Sequence, residues 1–104
     1  MDIRIQRLVA IIKLEPHQRH SLDSMASIAG LSSSRLRHKF KSEIGVTPRT
    51  YLHTVRMEMA DELLKSSSMS VKEVRVAIGL TSDSYFTREF KRTFGIPPSR
   101  IRKL

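Results

Sequence analysis

The sequence predicts an all-α fold of about seven helices, on three observations. No segment alternates apolar and polar residues with period two, as a half-buried strand would. Two stretches instead place apolar side chains at i, i+4 and i+8: Leu36, Phe40 and Ile44, then Phe86, Phe90 and Phe94. Those stretches belong to a repeat with an offset of about 49 residues, which lays Ser21, Gly30 and Leu31 over Ser70, Gly79 and Leu80. Beyond Leu80 the offset grows by one, so that Phe40-Lys41 lies over Phe90-Lys91 and Gly45 over Gly95. Two copies are too few for a solenoid and read as a duplicated supersecondary unit.

The elements follow in order. Residues 4–14 place Ile5, Leu8, Val9 and Ile12 on one helical face. The first repeat unit spans residues 21–45. Ser21 opens a short helix with Leu22, Met25, Ala26 and Ala29 inward, and Gly30 stops it by taking the left-handed conformation. A hydroxyl, Ser32 or Ser33, opens a longer helix closed by Gly45. Thr47 and Pro48 then start a linker helix to about residue 65, with Tyr51, Leu52, Val55, Met59, Leu63 and Leu64 on its buried side. Ser66, Ser67 and Ser68 end it, being poor helix formers. In the second unit, residues 70–95, Ser70 and Glu73 form a capping box, and Val71, Val74 and Ile78 face the core up to Gly79. Thr81 or Ser82 opens the next helix, and Gly95 closes it. Pro98 opens a last turn through Ile101 to Leu104. A short helix, a glycine turn and a longer helix make a helix-turn-helix unit, here present twice in one domain of residues 1–104.

Composition bounds the function. The 104 residues include 19 Lys or Arg against 10 Asp or Glu, a net charge of +9, and no Cys. A hydrophobic share of 39% supports a core and is too high for a disordered basic tail. No Cys means no disulfide and no thiol-based metal site. No apolar run is long enough to span a membrane, and Met1-Asp2-Ile3-Arg4-Ile5 lacks the apolar stretch of a secretory signal, so a cytoplasmic protein is expected. The charge is uneven. Residues 70–104 hold eight Lys or Arg against three acids, whereas residues 48–69 hold three of each. An anionic partner is implied, with nucleic acid foremost.

Each longer helix uses one stripe for docking and leaves another face for a ligand. Short polar residues near its start let such a helix sit deep in a DNA major groove, and donors one or two turns on reach base edges. The expected base readers are Ser34, Arg37 and His38 in the first unit and Asp83, Ser84, Thr87 and Arg88 in the second. Arg37 and Arg88 suit guanine bidentately, and Asp83 suits a cytosine amine. Ser32, Ser33, Arg35, Lys41 and Arg49, with Thr81, Ser82, Lys91 and Arg92, are expected on phosphates. A linker of about 18 residues spans roughly 27 Å, which brings two reading helices to about one DNA turn, so two successive major grooves are predicted. A spacing unmatched by straight DNA would bend it.

An enzyme is not expected. His17, His20, His38 and His53 show no metal spacing, no glycine-rich phosphate loop is present, and the serine clusters act as caps and breakers. Glu58, Asp61 and Glu62 fall beside Arg56 and Lys65 as solvated helix pairs, and Met25 and Met59 serve as core filler. No cofactor is expected. The alternative reading is a non-specific nucleic-acid binder or a basic protein-interaction module.

The duplicated unit resembles the DNA-binding domain of the AraC/XylS family of bacterial transcription regulators. The residues that carry the resemblance are Gly30-Leu31-Ser32-x-Ser34-x-Leu36, Phe40-Lys41 and Gly45-Val46-Thr47-Pro48. They continue through Tyr51-Leu52, Arg56, Leu63-Leu64 and Ala77-Ile78-Gly79-Leu80. The most specific block is Ser84-Tyr85-Phe86-x-Arg88-x-Phe90-Lys91, followed by Phe94-Gly95-Ile96-x-Pro98-Ser99. The resemblance implies two homeodomain-like three-helix subdomains, operator or promoter DNA as ligand, and transcription activation through contact with RNA polymerase at the nucleoid. The chain departs from the family pattern at His38, often Arg there, and at Ser82, often Asp, with the acid displaced to Asp83. Family members usually carry a ligand-binding or dimerisation domain ahead of this one. Two forms stay open: a stand-alone regulator that binds DNA as a monomer, or the C-terminal domain of a longer chain that dimerises through a preceding domain.

Overall fold

The structure, a computed structural model, describes residues 1–102. Among the described residues seven α-helices follow one another: α1 (Ile3–Leu14), α2 (Leu22–Ala29), α3 (Ser33–Ile44), α4 (Pro48–Ser66), α5 (Val71–Ala77), α6 (Asp83–Phe94) and α7 (Pro98–Ile101). The all-α prediction and the order of helices hold. The expected last turn is α7, and its final residues, Lys103 and Leu104, lie outside the described residues. Contacts divide the chain into two compact units, Met1–Val55 and Arg56–Leu104.

Unit 1 is built on the apolar faces of its helices. Asp2 caps α1, its carboxylate accepting from the Arg4 backbone N–H at 2.8 Å. Ile5, Leu8 and Ile12 of α1 meet Met25, Ala26 and Ala29 of α2, Leu36 and Phe40 of α3, and Leu52 of α4 in one core. Phe40 packs edge-to-face on Tyr51 with ring centroids 5.6 Å apart. Gly30 ends α2 at φ +68°, its N–H bonding back to Ala26 and Ser27 carbonyls, a turn that a side chain would strain. One connection is long in sequence: the Asp2 backbone N–H donates to Glu43 Oε1 at 2.9 Å, and Lys39 Nζ lies 3.8 Å from Asp2. These contacts fasten the start of α1 to the last turn of α3. Hydrogen bonds from Arg4 hold the Asp2 carboxyl well below the usual carboxylate range.

Unit 2 has its own core of Met57, Ala60 and Leu64 from α4, Val74 and Ile78, Phe86 and Phe90 of α6, and Ile101 of α7. Phe90 touches both ring neighbours, Phe86 at 5.8 Å and Phe94 at 4.7 Å between centroids. The predicted capping box is complete: Glu73 N–H donates to Ser70 Oγ at 3.0 Å and Ser70 N–H to Glu73 Oε1 at 2.9 Å. The Arg102 guanidinium closes the unit on the Leu64 carbonyl, 2.9 Å from Nε, and on the Met69 carbonyl.

The linker helix differs from the expected single stripe. Met57 and Ala60 are fully buried, whereas Tyr51, Val55, Met59 and Leu63 are half-buried. Tyr51, Leu52 and Val55 follow one helical register and Met57, Ala60 and Leu64 another, one register for each core. A helix serving two cores does not keep a single face. The serine stop behaves as predicted, with the Ser66 and Ser67 hydroxyls donating to the Glu62 and Leu63 carbonyls at 2.7 and 2.6 Å.

Candidate nucleic-acid interface

In each unit a serine and a stripe of large apolar residues decide which side chains remain outside. Ser32 is the N-cap of α3, its Oγ accepting from Arg35 N–H at 3.2 Å, and Ser82 does the same for α6 through Tyr85 N–H at 3.1 Å. Leu36 and Phe40 bury one side of α3, and Phe86 and Phe90 bury one side of α6. With about 100° of turn per residue, the opposite side of α3 holds Ser34, His38 and Ser42 in a row. The matching row on α6 is Ser84, Arg88 and Arg92, reached by adding 50 to each number. All six are exposed, and Lys41 and Lys91 flank the rows on the same side in both units.

The remaining predicted residues fall as follows. Arg35, Arg37, Arg49, Thr81 and Thr87 are exposed. Arg37 and Thr87 occupy matching positions on the flank, about 100° before the centre of each row. Ser32 and Ser82 spend a lone pair on the cap and keep a hydroxyl proton for an anion. Ser33 has committed its proton to Asp23 Oδ1 at 2.8 Å. Asp83 lies with Oδ1 2.6 Å from Arg75 Nε.

The exposed row of α6 is held by local electrostatics. Arg92 Nη2 is 2.6 Å from Glu89 Oε1, and Arg88 Nε is 3.6 Å from Glu89 Oε2. The Arg88 guanidinium also lies 5.5 Å from the centre of the Tyr85 ring. Glu89 is buried while both arginine side chains are about two-thirds exposed, so a fixed carboxylate gathers two cations that still reach solvent. Tyr85 and Glu89, which charge counting along the sequence does not single out, position these two arginines. Their signal was helical spacing: Tyr85 precedes Arg88 by three residues, and Glu89 follows it by one and precedes Arg92 by three. Beside the α3 row lies a shallow cleft of about 390 Å³ lined by Arg4, Leu31, Ser34, Arg35, His38, Lys39 and Ser42. Among the described residues no three His, Asp or Glu side chains converge as a metal site would require, and no helix is long and apolar enough to cross a membrane.

Two units of this construction define a helix-turn-helix protein. Residues 25–104 match the family described as the helix-turn-helix domain. The HTH-type transcriptional regulator MtrA of Neisseria gonorrhoeae is 30% identical over 102 residues, covering 98% of this chain and 34% of that protein. Among solved structures, the DNA-binding domain of AdpA, described as a global transcriptional factor in complex with a target DNA, superposes with a TM-score of 0.92 at 28% identity, covering 96% of this chain and 90% of that one. A transcriptional regulator of Chromobacterium violaceum, described as having an AraC-type DNA-binding domain, superposes with a TM-score of 0.88 at 26% identity, covering 97% of this chain and 90% of that one. The chain belongs to the AraC-type helix-turn-helix family, a family of DNA-binding domains of transcription regulators and not of enzymes. It spans about a third of the length of the curated relatives it matches.

Proposed function

We propose that the chain is the sequence-specific DNA-binding part of a bacterial transcription regulator that works in the cytoplasm, at the nucleoid. The observation that carries this reading is the recurrence, on the same serine cap and glycine stop, of an exposed row of hydrogen-bonding side chains on α3 and on α6. Each row enters a major groove. Ser34, Arg37 and His38, and Ser84, Thr87 and Arg88, meet base edges, while Arg35, Lys41, Arg49, Lys91 and Arg92, with the Ser32, Ser82 and Thr81 hydroxyls, meet phosphates. His38, not Arg37, holds the position in α3 that Arg88 holds in α6, so the first unit reads with an imidazole at the centre of its row. Two reading helices in one chain cover two successive grooves. The names of the relatives support transcription regulation, and we infer activation through contact with RNA polymerase as the outcome.

Binding-site selection on random duplexes tests this directly. The expected product is one enriched motif with two half-sites about 10 base pairs apart. Affinity should fall steeply with salt, as about 6–10 phosphate contacts require. Equal affinity for selected and scrambled duplexes would reduce the chain to a non-specific binder. A log–log salt slope near zero would make it a protein-interaction module.

A further inference from the structure

Arg75 occupies a position that a core-facing helix rarely gives to a charge. Its side chain is 11% exposed, on the flank of the Val71, Val74 and Ile78 stripe of α5. A buried guanidinium persists only where partners replace its water. Those partners lie in the turn between α5 and α6 and at the first residue of α6. Nη1 donates to the Leu80 carbonyl at 2.8 Å, while the Arg75 backbone carbonyl accepts from Leu80 N–H at 3.1 Å, so one residue holds both backbone groups of Leu80. Nε then sits 2.6 Å from Oδ1 of Asp83, the first residue of α6. That N–H does not point at the carboxylate, so the contact is an ion pair rather than an aligned hydrogen bond.

The first unit does the same with other chemistry. At the position matching Asp83 stands Ser33, the first residue of α3, whose hydroxyl donates to Asp23 of α2. At the position matching Arg75 stands Ala26, which offers no side-chain partner. In both copies, therefore, the first residue of the long helix is tied by a polar contact to the short helix before it.

We propose that Asp83 is a positioning residue and not a base reader: with Arg75 it forms a brace that sets how α6 is presented and neutralises the one carboxylate at the start of that helix. The functional part of this inference rests on the DNA-binding reading above. Without Arg75, the Asp83 carboxylate would face phosphates uncompensated. Without Asp83, the Arg75 cation would keep only the Leu80 carbonyl.

The test is a double-mutant cycle on the intact chain with Arg75→Met, which keeps the apolar stem, Asp83→Ala and the pair, with Asp83→Asn as a milder second variant. Melting temperatures and duplex affinities are measured where every variant is folded. Asp83→Ala should lower the melting temperature beside Arg75 and leave it unchanged beside Met. Arg75→Met should weaken duplex binding about tenfold, and adding Asp83→Ala should recover the part that the uncompensated carboxylate costs while the loss from the missing brace remains, a partial rescue that a purely structural residue would not produce. Base preference should stay the same at every position. Relaxed preference at a single C·G pair in both backgrounds would overturn the proposal and make Asp83 a base reader. Equal effects of Asp83→Ala beside Arg75 and beside Met would also overturn it. A parent chain that binds all duplexes alike would instead refute the DNA reading, leaving the melting cycle to decide the brace.

Discussion

Replacing Arg88 by Ala separates reading from folding, because the structure puts very different magnitudes on the two. The side chain is 68% exposed, its Glu89 contact is a loose 3.6 Å, and its stacking on Tyr85 is at the surface. An exposed ion pair contributes about 0–1 kcal/mol and an exposed cation–π contact about 0.5–1 kcal/mol, so the fold should lose at most about 2 kcal/mol, and about 1 kcal/mol with the ion pair this loose. A bidentate contact to guanine discriminates by about 1–3 kcal/mol, which is roughly 5- to 150-fold in affinity. Fluorescence anisotropy on the selected duplex, and on duplexes changed one base pair at a time, measures that loss. The Arg88→Ala chain should bind the selected site less tightly and cease to prefer G at one position, with little change in melting temperature. Lys91→Ala is the control for a phosphate contact, and it should weaken all duplexes alike and lower the salt slope by about one. A uniform loss from Arg88→Ala, with the base preference intact, would refute the placing of its guanidinium on a base edge.

Three further outcomes follow from the packing and the caps. Phe90→Ala removes a ring with no exposure and two aromatic neighbours from the core of unit 2, and should cost about 3–5 kcal/mol, read as a calorimetric loss of the native transition; an unchanged melting temperature would refute the core assignment. Gly30→Ala meets open space but must hold a positive φ, so it should cost about 1–2 kcal/mol by chemical denaturation, and a neutral result would refute backbone strain as the cause. Hydrogen bonds from Ser70, the backbone one foremost, hold the Glu73 carboxyl below its ordinary value of 4.5. A carboxyl lowered in the folded state stabilises above its unfolded pKa and loses that contribution as pH falls through the folded pKa, so melting temperature should drop on acidification below about pH 4.5. Glu73→Gln should flatten that part of the pH profile, and an unaltered profile would refute the capping box as its source.

Most of the helical frame was legible in residue order because its causes are local. A capping hydroxyl, a glycine that accepts positive φ and a four-residue apolar spacing act within a few residues, and α2, α3, α5 and α6 lie where Ser21, Ser32, Ser70, Ser82 and the glycines put them. The repeat made the same pattern visible twice. The candidate reading rows were legible for the same reason, since Leu36 with Phe40 and Phe86 with Phe90 leave only one side of each helix outside.

What residue order left open depends on partners brought together from afar or on the phase of a buried side chain. Asp2 and Glu43 meet across 41 positions, and nothing local in either announces the other. Met57 and Ala60 became core because one continuous helix answers to two separate apolar clusters, each with its own register. Nothing in the residue order singles out Arg75, and tertiary packing turned it inward. There a charge without water must find a carbonyl and a carboxylate, and it finds Leu80 and Asp83. Local hydrogen bonding and spacing thus wrote the helices into the chain, while desolvation within each unit decided which of its charges turn inward to a partner and which stay exposed.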